Sequence, residues 1–257
     1  MAFASKKRNV RPPVEGPLRR LPGQSVREKR ERLFDDKIVA YLLALLVAWM
    51  FALWQWIYKW TGSKPSPGVA TLVAIVVTVY CVYRIWRFRT EFRNLNLAEK
   101  GERRVSEALT QLRRKRYVAF DDLVVTGENI DHVLVGPGGI FAIETKAYSI
   151  FGNGCVGVDE AGVLRLGNKA AFGDPIGQAM RCAQHVTKLL EDRTRKSHDV
   201  TPLLIFPGWT LKRAKADTGV VVLNDRSISE FFEALPRVFS DEQITWVCSH
   251  LDQIART

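Results

Sequence analysis

Ile130-Asp131-His132-Val133-Leu134-Val135-Gly136-Pro137-Gly138-Gly139-Ile140-Phe141-Ala142-Ile143-Glu144-Thr145-Lys146 decides how the second half of this chain folds. Two apolar runs flank a Gly-Pro-Gly-Gly turn, which signals a β-hairpin. With the turn centred on Pro137 and Gly138, Asp131 stands directly opposite Glu144. Opposed residues on one face of an antiparallel pair hold their Cβ atoms roughly 4.5–5.5 Å apart, close enough for two carboxylates to share one cation. Lys146, two residues beyond Glu144, points to the same face. The hairpin is otherwise apolar on both sides, with Val133, Val135, Ile140 and Ala142 on one and Leu134, Phe141 and Ile143 on the other. That is the pattern of a strand pair covered on each face. Two carboxylates there are costly unless paired or bound to a metal ion. The bland alternative is a pair of solvated charges on an edge strand, with Lys146 offsetting one of them; the residues alone leave both open.

Around this hairpin the sequence reads as a mixed α/β domain over 95–257. Leu97, Gly101, Val105, Ala108, Leu109 and Leu112 recur at helical spacing, so 97–115 is expected to be an amphipathic helix. Strand-like runs occupy 117–125, 200–206 and 219–223, and a further hairpin is expected around 156–166. A second helix is predicted over 175–192, a short one from Ser227 to Leu235, and a C-terminal one from Asp241. No P-loop, HExxH, GxSxG or dinucleotide-binding glycine pattern is present.

The N-terminal third differs in kind. Residues 38–58 and 65–83 are free of charge, and each is long enough to cross a bilayer as a helix. Trp49, Trp54, Trp56, Tyr58, Trp60, Tyr80, Tyr83 and Trp86 gather towards the ends of these stretches, as aromatic residues do at headgroup level. Residues 37–86 are therefore read as a transmembrane hairpin, with its turn at Gly62, Ser63, Pro65 and Pro67. Residues 1–36, basic and carrying four prolines, are expected to be a disordered cytoplasmic tail.

The net charge of +11 invites a nucleic-acid reading, but its location decides otherwise. The basic excess flanks the two apolar stretches, while residues 117–257 carry more Asp and Glu than Lys and Arg. This is the positive-inside pattern, and it places both termini and the folded domain on the cytoplasmic side of the inner membrane, against the lipid bilayer. Cys81, Cys155, Cys182 and Cys248 lack paired spacing, which speaks against zinc or a disulfide framework. His132 alternates to the face opposite Asp131 and His185 sits mid-helix, so both read as structural. Lys212, Arg213 and Lys215 read as a solvated loop.

Lys100-Gly101-Glu102, Ile130-Asp131-His132, the Gly-rich turn, Glu144-Thr145-Lys146 and Pro175-x-x-Gln178 occur in that order. Each motif is weak, but the ordered set resembles the nuclease-related domain (NERD), a branch of the PD-(D/E)XK nuclease superfamily. The resemblance implies a restriction-endonuclease-like mixed sheet flanked by helices, preceded here by the two transmembrane helices. It implies that Asp131 and Glu144 are ligands of Mg²⁺ or Mn²⁺, and that Lys146 positions the attacking water or stabilises charge on the phosphate. Glu102 would be an accessory acid and Gln178 an accessory polar group. The family usually has Asn before the proline of the second helix, where this chain has Asp174, which can still cap that helix. The function expected is a membrane-anchored nuclease hydrolysing phosphodiester bonds in nucleic acid, DNA rather than RNA. The alternative is a catalytically silent membrane-tethered binding or scaffold module on the same fold, which the acidic balance of 117–257 favours.

Overall fold

The computed structural model describes residues 20–60, 66–125 and 128–255. Its centre is a mixed five-stranded sheet. Strands β1 (Val118–Val125), β2 (Glu128–Gly136) and β3 (Gly139–Thr145) run antiparallel, and β7 (Val200–Ile205) and β9 (Val221–Leu223) continue from β3 in parallel. His132 pairs with Ile143 and Val133 with Ala142. That register, carried one step further, sets Asp131 across from Glu144, as the turn chemistry predicts. The hairpin lies inside the sheet rather than at an edge, and every residue of β3 is buried.

Both faces are covered. On one, Val133, Val135, Ile140 and Ala142 meet Cys182, Val186 and Leu190 of α4 (Pro175–Thr194) and Val247 and Leu251 of α6 (Asp241–Ala255). On the other, Leu134, Phe141 and Ile143 meet Val105 and Leu109 of α3 (Pro67–Gln111) and Phe232 of α5 (Ile228–Ala234). Helix α4 opens with Pro175 in its first turn, and the Asp174 carboxylate accepts a hydrogen bond from the Gly177 N–H at 2.9 Å. Asp thus caps this helix.

A second sheet has the order β6 (Lys169–Ala170), β5 (Leu164–Leu166), β4 (Cys155–Val158), β8 (Thr210–Leu211). Strands β4 and β5 are the expected hairpin. Strands β6 and β8 are two residues each, too short to show any alternation in sequence. This sheet packs Val156, Leu164 and Leu166 against Ala179, Phe206 and Trp209, beside the end of the main sheet where β3 exits.

Helix α2 (Ala40–Trp60) and the first half of α3 are long and apolar enough to cross a membrane, with mean hydropathy near 2 over 18-residue windows and little of those windows buried. They meet through Ala52, Ala70 and Ala74, small residues that allow close helix approach. The indole N–H groups of Trp49 and Trp56 donate across this contact to Thr78 (2.9 Å) and Thr71 (3.1 Å).

Two expectations are corrected here. The helix expected to begin near Leu97 is the continuation of the second apolar helix, because nothing between Arg84 and Asn96 breaks it; α3 is one rod of 45 residues, about 68 Å long at 1.5 Å per residue. The tail expected to be disordered to residue 36 is also wrong in its second half. Residues Gln24–Leu33 form helix α1, which passes through a π-helical turn (Phe34–Val39) into α2. Two charges of this segment are tied to the rest of the chain: Arg20, just before α1, pairs with Asp122, and Arg30 pairs with Glu99. Residues 1–19 of that tail, and Gly62, Ser63 and Pro65 of the expected turn, lie outside the described residues.

Candidate active site

Asp131 on β2 and Glu144 on β3 are both buried, at 8% and 3% exposure. The chain leaves β3 at Lys146, whose N–H still donates to the Ile205 carbonyl on β7 (2.9 Å), so the lysine is held on the sheet. Its ammonium donates to Glu144 Oε1 at 2.8 Å and to Gln178 Oε1 at 2.8 Å. The Gln178 amide in turn donates to Glu144 Oε1 at 2.7 Å, closing a three-membered ring of polar contacts. Asp131 Oδ2 accepts the Thr145 N–H at 2.7 Å, which ties the two hairpin strands together behind the carboxylates. Glu102 arrives from α3, 4% exposed, with Oε2 buried and without a hydrogen-bond partner.

Electrostatics ties Glu102, Asp131, Glu144 and Lys146 into one site. Burial, then the charges of Asp122 and Glu144, pushes the Glu102 carboxyl up to about 8. Burial, then Glu144 and Glu102, holds the Asp131 carboxyl well above the ordinary carboxylate range. Burial works against the Lys146 ammonium, but Glu144 and Asp131 together offset it and the net shift is upward. Negative charge is therefore crowded around a single ammonium, and the site favours added protons or cations.

Two neighbours were not anticipated from sequence. The Cys182 thiol donates to Glu144 Oε2 at 3.4 Å; it sits one helical turn after Gln178, and that i,i+4 spacing is the signal that could have found it. Asp122 is the other. It is fully buried, with φ +53°, and the pairing of Asp121 with His132 and Leu123 with Ile130 passes over it. His132 is placed as expected, on the opposite face, with Nδ1 2.7 Å from Asp121 Oδ1.

Among the described residues no three His, Cys, Asp or Glu side chains form a ready metal-binding group. The donors nevertheless suit a hard cation. Magnesium is usually held by one or two carboxylates and completes its shell with waters and substrate phosphate rather than in an all-protein cage. Asp131 and Glu144 supply two such carboxylates, and the unpartnered Glu102 Oε2 is a third oxygen that lacks a counter-charge.

Residues 97–207 match the family model of the nuclease-related domain (NERD), a stretch that contains Glu102, Asp131, Glu144, Lys146 and Gln178. No curated protein and no solved structure matches the chain. Behind two helices apolar enough to cross a membrane, this chain carries a nuclease-related domain of restriction-endonuclease-like fold.

Proposed function

We propose that this protein is a membrane-anchored nuclease that hydrolyses phosphodiester bonds in nucleic acid with the help of Mg²⁺ or Mn²⁺. The observation that carries the reading is the ring of Glu144, Lys146 and Gln178 set beside buried Asp131 and Glu102. Asp131 and Glu144 would hold the cation, which supplies Lewis-acid polarisation of a phosphoryl oxygen and a more acidic water. Lys146 uses two of its three N–H donors on Glu144 and Gln178, leaving one for a phosphate oxygen on which charge builds. Gln178 fixes the lysine and the carboxylate relative to each other. Water adds to phosphorus, the bond to the leaving sugar oxygen breaks, and that oxygen takes up a proton.

The basic residues on either side of the apolar helices support a cytoplasmic domain and cytoplasmic termini. Nucleic acid, with DNA ahead of RNA, is then the substrate class within reach. The test is incubation of the full chain in detergent micelles with single- and double-stranded DNA and RNA, with Mg²⁺, with Mn²⁺, and with chelator. Cleavage that depends on the metal is expected. An absence of cleavage on every substrate with either metal would overturn the reading and leave a tethered binding module.

A further inference from the structure

Outside the ring of Glu144, Lys146 and Gln178, one cationic group from a distant part of the chain reaches the acidic site. Arg20, just before α1, donates from Nε to Asp122 Oδ2 at 2.7 Å. The Ser25 N–H donates to the same oxygen at 2.9 Å. Arg20 Nη2 also holds Ser25 Oγ and Glu28 Oε2, each at 3.0 Å, so the segment 20–28 is knotted around the guanidinium. Between these two contacts lies Gly23, with φ +71°, buried against α3; a Cβ built on it would stand 3.6 Å from Glu102 Oε2. The Gly23 backbone N–H favours the charged form of the Glu102 carboxyl, against the upward push of burial.

The chemistry of this contact is unbalanced. Asp122 is fully buried, and its Oδ1 has no hydrogen-bond partner. Glu102 Oε2 is likewise buried and unpartnered, and Asp122 is its strongest charged neighbour. One guanidinium, 29% exposed, therefore pairs with Asp122 beside the buried Glu102, and one oxygen of each carboxylate is left unsatisfied. A staple that only fastened α1 to the domain would not need to be placed there, since Arg30 already fastens it to Asn96 and Glu99.

We infer that Asp122 is a fourth carboxylate of the acidic site, and that the Arg20–Ser25 strap closes the Glu102–Asp122 side of it, with the guanidinium standing where a divalent cation can bind when the strap lifts. The strap lies outside the nuclease-related match and runs without a break through α1 into the first apolar helix. Lifting it is thus mechanically linked to that helix. The inference rests on the metal-binding reading above, and the test separates the two.

The experiment is Mn²⁺ binding to the full chain in detergent micelles, read by the loss of the free-ion electron paramagnetic resonance signal. It compares wild type, Arg20→Gln, the double variant Arg20→Gln/Asp122→Asn, and Glu144→Ala. Asn tolerates the left-handed backbone at position 122, so the double variant keeps its fold. Removing a competing positive charge next to the site should tighten Mn²⁺ binding at least about tenfold in Arg20→Gln, and the gain should vanish in the double variant. Wild-type affinity in Arg20→Gln, or a gain that survives Asp122→Asn, overturns the strap. If wild type still binds Mn²⁺ and Glu144→Ala does not, the metal reading stands without it. No binding in either wild type or Arg20→Gln removes both.

Discussion

Gly101 on α3 lies so close to Ala147 that a Cβ built on the glycine would stand 2.4 Å from the Ala147 Cβ. This contact sets how near the helix carrying Glu102 comes to the strand exit carrying Glu144 and Lys146. Gly101→Ala forces the two apart, and such overpacking typically costs about 1–3 kcal/mol. A lower melting temperature and weaker divalent-cation binding are expected together. A variant as stable and as tight-binding as wild type would show that the approach is incidental.

Lys146 is expected to act on the phosphate and not on the cation. Lys146→Met frees Glu144 Oε1 of a competing positive charge, so Mn²⁺ affinity should hold or rise. Cleavage should fall by roughly 10²–10³, the usual cost of losing one donor to developing charge. Calorimetric Mn²⁺ titration beside single-turnover cleavage separates the two effects; a parallel loss of both would move Lys146 to a structural role.

Gln178 touches the site through Glu144 and Lys146 and orients both. Partners that orient a metal ligand are worth roughly 10–100-fold, so Gln178→Ala should lower cleavage by about that factor and Gln178→Glu should not restore it. Full activity in Gln178→Ala would remove it from the site.

Glu102 gives a pH signature. Its carboxyl is raised from the ordinary 4.5 to about 8 in the fold. Between those values the folded chain holds more proton than the unfolded one, so this group makes stability fall as pH rises and contributes no slope above or below the window. The melting temperature of wild type minus that of Glu102→Gln, without metal, should therefore decrease from pH 4.5 to 8 and flatten beyond. A difference that stays constant or increases across the window contradicts the raised carboxyl.

Much of the fold was legible because it is local. The Gly-Pro-Gly-Gly turn set the hairpin register, and strict alternation on two apolar faces placed β2 and β3 inside the sheet, which excludes the solvated-edge reading of Asp131 and Glu144. The ordered motifs brought Glu102 and Gln178 to the same place as the hairpin carboxylates. What stayed hidden is long-range or too short to carry a period. The Arg20–Asp122 pair joins residues 102 apart, and no local pattern announces it. Strand β8 pairs with β4 through two residues, and α3 reads as two helices because its polarity changes near Arg84 while its backbone does not.

The most direct measurement is metal-dependent cleavage by the full chain beside its Glu144→Ala and Asp131→Asn variants, each first shown to fold like wild type. Cleavage by wild type with Mg²⁺ or Mn²⁺, abolished by chelator and reduced at least about 10³-fold in both variants, is the expected result. Cleavage that persists in either variant, or that ignores the chelator, would contradict a site built on the opposed Asp131 and Glu144.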